Sequence, residues 1–172
     1  MRTAFIVCFV ATMLQSTAGR CETAVPENLA PPLEMKLAFV GHATGVQIYV
    51  CQAAASGAPK AWVLLAPEAT LTDASNKPLA THFGGPTWQA QDGSQVKGKA
   101  LAQAVPDPES IPWLLISVVE HKGSGLMTPV TYIQRLHTQG GKAPVGGCDT
   151  STLGKKAPVP YSADYYFYSR RE

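Results

Sequence analysis

The chain has 172 residues, 45% of them hydrophobic and 15% charged, with 14 Lys+Arg against 12 Asp+Glu. That length suffices for one domain with a core, and a near-neutral balance without a basic stripe argues against nucleic-acid binding, which needs cations to displace phosphate counterions. Fifteen Gly and fourteen Pro weigh against long helices and for a turn-rich β protein.

The first eighteen residues read as a secretory signal peptide. Arg2 supplies the positive start, Ala4 to Leu14 is uncharged and apolar, and Ser16-Thr17-Ala18 offers small residues for cleavage. The apolar run is too short to cross a bilayer, which takes ~20 residues, and no transmembrane segment follows in the mature chain. Cleavage after Ala18 or Gly19 gives a secreted or periplasmic protein. Cys21 follows Arg20, where a lipoprotein signal needs a small residue, so no lipid anchor is expected; its role is left open. Residues 19–34 hold Pro26, Pro31 and Pro32 and no apolar periodicity, which predicts a flexible arm ahead of a single β domain over 35–172.

Strand signals then succeed one another. Met35 to Val40 is followed by a connection over Gly41–Gly45, then by Val46 to Cys51, where Val46, Ile48 and Val50 alternate with Gln47, Tyr49 and Cys51. Ala61 to Ala66 is continuously apolar and predicts a strand buried on both sides; Pro67 closes it, and Glu68 to Asp73 alternates again. Thr87–Ala90 and Gln95–Ala100 flank an Asp92-Gly93 turn, a hairpin signature. Ile111–Glu120, Val130–His137 and Tyr161–Tyr168 complete the set. About eight strands with turn-like links predict an all-β domain, a single antiparallel barrel or sandwich.

Cys8 leaves with the signal. In an oxidising compartment Cys51, at the end of a strand, and Cys148, after a glycine-rich loop, are the natural disulfide partners.

Several segments together resemble a known family: Gly45–Cys51, His82–Trp88, Asp92–Ser94, Ile111–Leu115, Tyr132–Arg135 and Tyr161–Tyr168. They look like small exported proteins of bacteria and filamentous fungi that carry a domain of unknown function, some associated with appressoria. The resemblance implies secretion and one fold unit, and no activity. Some relatives are called malate dehydrogenases, but this chain has neither the glycine-rich strand-to-helix turn nor the βαβ pattern that a nicotinamide enzyme needs.

Candidate chemistry centres on His82-Phe83-Gly84-Gly85-Pro86-Thr87-Trp88. His82 is a candidate general base or metal ligand, and Trp88 a stacking platform for a sugar or aromatic ligand; the same pattern also suits a plain turn with Trp88 in the core. Glu68 and Asp92 are candidate acid/base carboxylates. Tyr166 and Tyr168, on one face of the aromatic Tyr165–Tyr168 run, are candidate ligand contacts beside Trp88. No metal-ligand spacing joins His42, His82, His121 and His137, no nucleophile elbow exists, and no cofactor is implied. The expectation is therefore an exported β domain that binds a small molecule, a glycan or a partner at an aromatic-lined pocket. The alternative is a small hydrolytic or metal-assisted enzyme centred on His82. Oligomeric state is not legible.

Overall fold

A computed structural model describes residues 24–53 and 59–171. The signal segment, its cleavage sites and Cys21 lie outside the described residues. Eight strands follow one another in chain order: β1 (Met35–Gln52), β2 (Ala61–Thr72), β3 (Pro78–Phe83), β4 (Thr87–Ala90), β5 (Gln95–Ala104), β6 (Trp113–Lys122), β7 (Val130–Gly140) and β8 (Lys156–Arg170). Each is antiparallel to its neighbours, and β8 returns to pair with β1, closing a barrel. The all-β expectation holds, in its barrel form.

β8 shows most plainly how sequence becomes wall. Tyr161, Ala163, Tyr165 and Phe167 are buried inside, while Ser162, Asp164, Tyr166 and Tyr168 alternate with them on the outside, half-buried. Phe167 stacks on Phe39 of β1 at 4.5 Å, and the inner cluster continues through Leu71, Ala80, Val96, Ile116 and Ile133.

Two predicted breaks are absent. Gly41–Gly45 is not a connection, because β1 runs through it. A Cβ at Gly45 would lie 2.1 Å from the Glu68 carbonyl oxygen, and one at Gly41 would lie 2.9 Å from Leu71 Cδ2; these glycines mark close approach of β2, not a turn. Pro67 does not end a strand either. β3 pairs with β2 only over Ala69–Thr72, so Pro67 sits where β2 has β1 alone as partner and no second ladder needs its N–H. For the same reason the apolar run Ala61–Ala66 is not buried on both sides: Val63, Leu64 and Leu65 are about half exposed, at 45%, 51% and 50%, on a stretch of β2 that projects beyond β3. β3 is a further strand, without a period-two signal of its own, that pairs with β2 and β4.

The Cys51–Cys148 disulfide is formed as expected. It ties the end of β1 to the loop before β8, where the Trp62 indole N–H also donates to the Gly146 carbonyl at 2.7 Å.

The described part of the predicted flexible arm lies against the barrel. Glu27–Leu29 forms a 3-10 turn after Pro26, and Leu29 is fully buried on the outer face among Trp113, Leu115 and Leu136. The Gln134 side chain donates to the Leu29 carbonyl at 2.6 Å, and Asn28 donates to the Gln103 carbonyl. One buried side chain, Leu29, rather than a periodic face, supplies the apolar part of this contact.

Candidate functional site

Inside the barrel, β3 and β4 place two rings together. His82 and Trp88 are register partners on adjacent strands and stack with centroids 4.2 Å apart and planes 6° apart. Tyr165, from the far wall, sets its edge against both, at 5.3 and 5.5 Å. Gly98 makes room for the indole, since a Cβ there would lie 3.0 Å from Trp88 Cζ3 and 2.4 Å from Ile116 Cγ2. All three rings are at most 3% exposed.

The protonation of His82 follows from its surroundings. Burial lowers its pKa to about 4, with the Thr87 hydrogen bond opposing and the Arg135 charge assisting, so the ring is neutral at pH 7. Nδ1 lies 2.9 Å from the Thr87 carbonyl; a carbonyl only accepts, so the proton is on Nδ1 and Nε2 carries a lone pair.

Arg135 of β7 reaches the same interior. Its Nε and Nη2 both donate to the Pro112 carbonyl, at 3.0 and 2.8 Å. Among the described residues no carboxylate pairs with it. Four buried polar atoms there have no hydrogen-bond partner among the described residues: Trp88 Nε1, the Tyr165 and Tyr161 hydroxyls, and Gln47 Nε2. Burial pushes both tyrosine hydroxyls above their ordinary range; Tyr165 adds to the rise at Tyr161, while at Tyr165 the Arg135 charge and the nearby Tyr161 and Arg135 donors pull the other way. These groups therefore neighbour Tyr165, although neither makes a well-formed hydrogen bond to it. Both hydroxyls remain protonated donors. A cavity of about 60 Å³ lies between His82, Trp88, Leu114, Ile116, Arg135 and Tyr165. Pro86 and Ala100 also line it and are exposed to solvent, so it opens on that side.

Tyr166 and Tyr168 are not part of this chamber. They share the outer face of β8 with Asp164, opposite to the inward Tyr165, so the structure does not gather them with Trp88. A groove of about 330 Å³ runs over them, lined also by Gln134, Leu136, His137 and residues Ala24 and Val25. Its polar groups are engaged: the Tyr168 hydroxyl donates to Gln134 Oε1 at 2.6 Å, and Asp164 accepts from His42 Nδ1 at 2.6 Å and His137 Nδ1 at 2.9 Å. His137 reaches that face because a bulge in β7, where it has φ 50°, sets it outward beside Leu136.

Nor do the candidate acids join His82. Glu68 is exposed and pairs in register with Val46 on the outside. Asp92 is a turn clamp: its Oδ1 accepts from the Ser94 N–H and hydroxyl at 2.9 and 2.6 Å, and its Oδ2 from the Leu126 N–H at 2.7 Å. These hydrogen bonds, the Ser94 hydroxyl first, hold its carboxyl below the usual range. Among the described residues no group of three His, Cys, Asp or Glu is placed to hold a metal.

Fold and site define a small antiparallel barrel with a buried aromatic cluster and a donor-lined interior. Residues 31–169 match the family described as Protein of unknown function (DUF3455), and the chain belongs to that family. No curated protein and no solved structure matches. Among the described residues no helix is long and apolar enough to cross a membrane, and the disulfide fits an extracellular or periplasmic setting.

Proposed function

We propose that this is an exported barrel whose interior, between His82, Trp88 and Tyr165, holds a polar group of a small ligand. The observation that carries this is the buried Trp88 indole N–H, which has no partner among the described residues, with the Tyr165 hydroxyl close by, beside a cavity that opens at Pro86 and Ala100. Buried polar groups in native proteins are nearly always partnered, and an indole N–H can only donate. Its partner must bring a lone pair.

Size limits what enters. At about 60 Å³ the chamber is far below the ~300 Å³ at which whole small molecules are usually enclosed. It therefore takes one functional group, with the rest of the ligand directed outward. The outer groove has room for more, which favours Tyr166 and Tyr168 as contacts of a second, glycan-sized ligand, but the tyrosine hydroxyl at Tyr168 already has its partner. A hydrolytic role at His82 lacks the support of Glu68 or Asp92 and of a strongly basic imidazole.

A thermal-shift screen of purified mature protein tests the interior reading, because specific binding raises the melting temperature by mass action. Hits are expected to raise it for the wild type and not for Trp88→Phe. Hits that act equally on both would contradict it.

A further inference from the structure

We infer that the group held inside the barrel is a carboxylate, gripped by Arg135 together with the Trp88 indole N–H and the Tyr165 hydroxyl. This rests on the interior-binding reading and names the chemical class of its ligand.

The chamber offers donors and a positive charge. A guanidinium has no acceptor, an indole N–H has none, and a protonated phenol can donate. Arg135 is permanently charged, and among the described residues no carboxylate offsets it. Arg135 is half-buried, so water reaches part of its charge, and the side turned to the cavity is where an anion would gain a charge-assisted hydrogen bond. The Pro112 carbonyl holds Nε and Nη2, which fixes the plane of the fork and leaves its remaining N–H groups available. Planar, two-oxygen anions are what that fork matches best.

Shape narrows the choice. Leu114 and Ile116 form an apolar wall of the cavity, which suits the carbon substituent of a carboxylate better than a fully hydrated inorganic ion. A volume of about 60 Å³ equals about two water molecules at ~30 Å³ each, room for a carboxylate group whose substituent leaves past Pro86 and Ala100.

The test uses purified mature protein in a carboxylate-free buffer at constant ionic strength. Calorimetric and thermal-shift titrations compare sodium acetate, butyrate and benzoate with acetamide, butan-1-ol and benzamide, and with sodium chloride. The carboxylates are expected to bind and raise the melting temperature, and the neutral analogues and chloride are not. Arg135→Lys and Trp88→Phe should each weaken carboxylate binding about tenfold or more, as loss of a charge-assisted or buried hydrogen bond does. Val63→Ala, on the half-exposed stretch of β2, should leave it unchanged. Should Arg135→Lys not fold, Trp88→Phe carries the comparison alone. Neutral analogues binding as well as carboxylates, in a manner sensitive to Trp88→Phe, would overturn the carboxylate and leave the interior site standing. Chloride matching the carboxylates would also overturn it. If no compound binds in a manner sensitive to Trp88→Phe, both readings fall.

Discussion

The two faces of β8 make opposite use of the same residue type. Outward, Tyr168 gives its hydroxyl to Gln134, and Gln134 in turn donates to the Leu29 carbonyl, so a chain of hydrogen bonds fastens the N-terminal segment to the barrel. Inward, three residues away, Tyr165 is fully buried and its hydroxyl has no partner among the described residues. On the outer face the Tyr168 hydroxyl serves the fold; on the inner face the Trp88 indole N–H and the Tyr165 hydroxyl do not. A core built for stability alone would have phenylalanine at Tyr165, since an unpartnered buried hydroxyl costs roughly 1–3 kcal/mol.

The contrast can be attacked from both sides. The largest effect is expected at Trp88. Trp88→Ala would open a cavity beside His82 and cost roughly 3–5 kcal/mol, enough to unfold a marginal domain, as chemical denaturation would show. On the outer face Leu29→Ala is expected to cost roughly 2–4 kcal/mol by the same mechanism, measured by the shift in denaturation midpoint. A value within ~0.5 kcal/mol of zero would mean that the segment is not docked in solution.

Acid should act on the interior through His82. His82 titrates at about 4 in the folded barrel and near 6.5 when unfolded. Between these values the unfolded chain holds the extra proton, so stability falls as pH drops from about 6.5 to about 4, by on the order of 3 kcal/mol in total. Denaturation midpoints for wild type and His82→Gln across that window are expected to converge at low pH. An unchanged pH slope in the variant would remove His82 as the cause.

The smallest and sharpest pair is Tyr168→Phe against Tyr165→Phe. The first removes a satisfied hydrogen bond and should cost about 0.5–1.5 kcal/mol; the second, in ligand-free protein, should be neutral or stabilising. Equal losses at both positions would erase the distinction between the faces.

Much of this fold was legible and its orientation was not. Period-two alternation located the Val46–Cys51 part of β1 and most of β7, the Asp92-Gly93 turn located the β4–β5 hairpin, and the compartment argument paired Cys51 with Cys148. What alternation cannot say is which face turns inward when both are apolar or aromatic. In β1 the buried set is Gln47, Tyr49 and Cys51, while Val46, Ile48 and Val50 face outward and are half-buried. On β8 the same ambiguity makes Tyr166 and Tyr168 indistinguishable from Tyr165 by pattern alone. Arg135 did carry a signal: it shares parity with Ile133, a core residue, so an inward Ile133 implies an inward Arg135. His137 escapes that parity because the bulge shifts it by one residue. Leu29 left no periodic trace, since a 3-10 turn buries a single side chain.

The most direct measurement is a two-dimensional ¹H–¹⁵N spectrum of the indole groups during a benzoate titration. The chain has three tryptophans, and Trp62 serves as an internal reference because its indole N–H is already bonded to the Gly146 carbonyl. The account predicts a saturable shift of the Trp88 indole resonance, with those of Trp62 and Trp113 nearly still, and its loss in Arg135→Lys. A Trp88 resonance that stays fixed through the titration would contradict it.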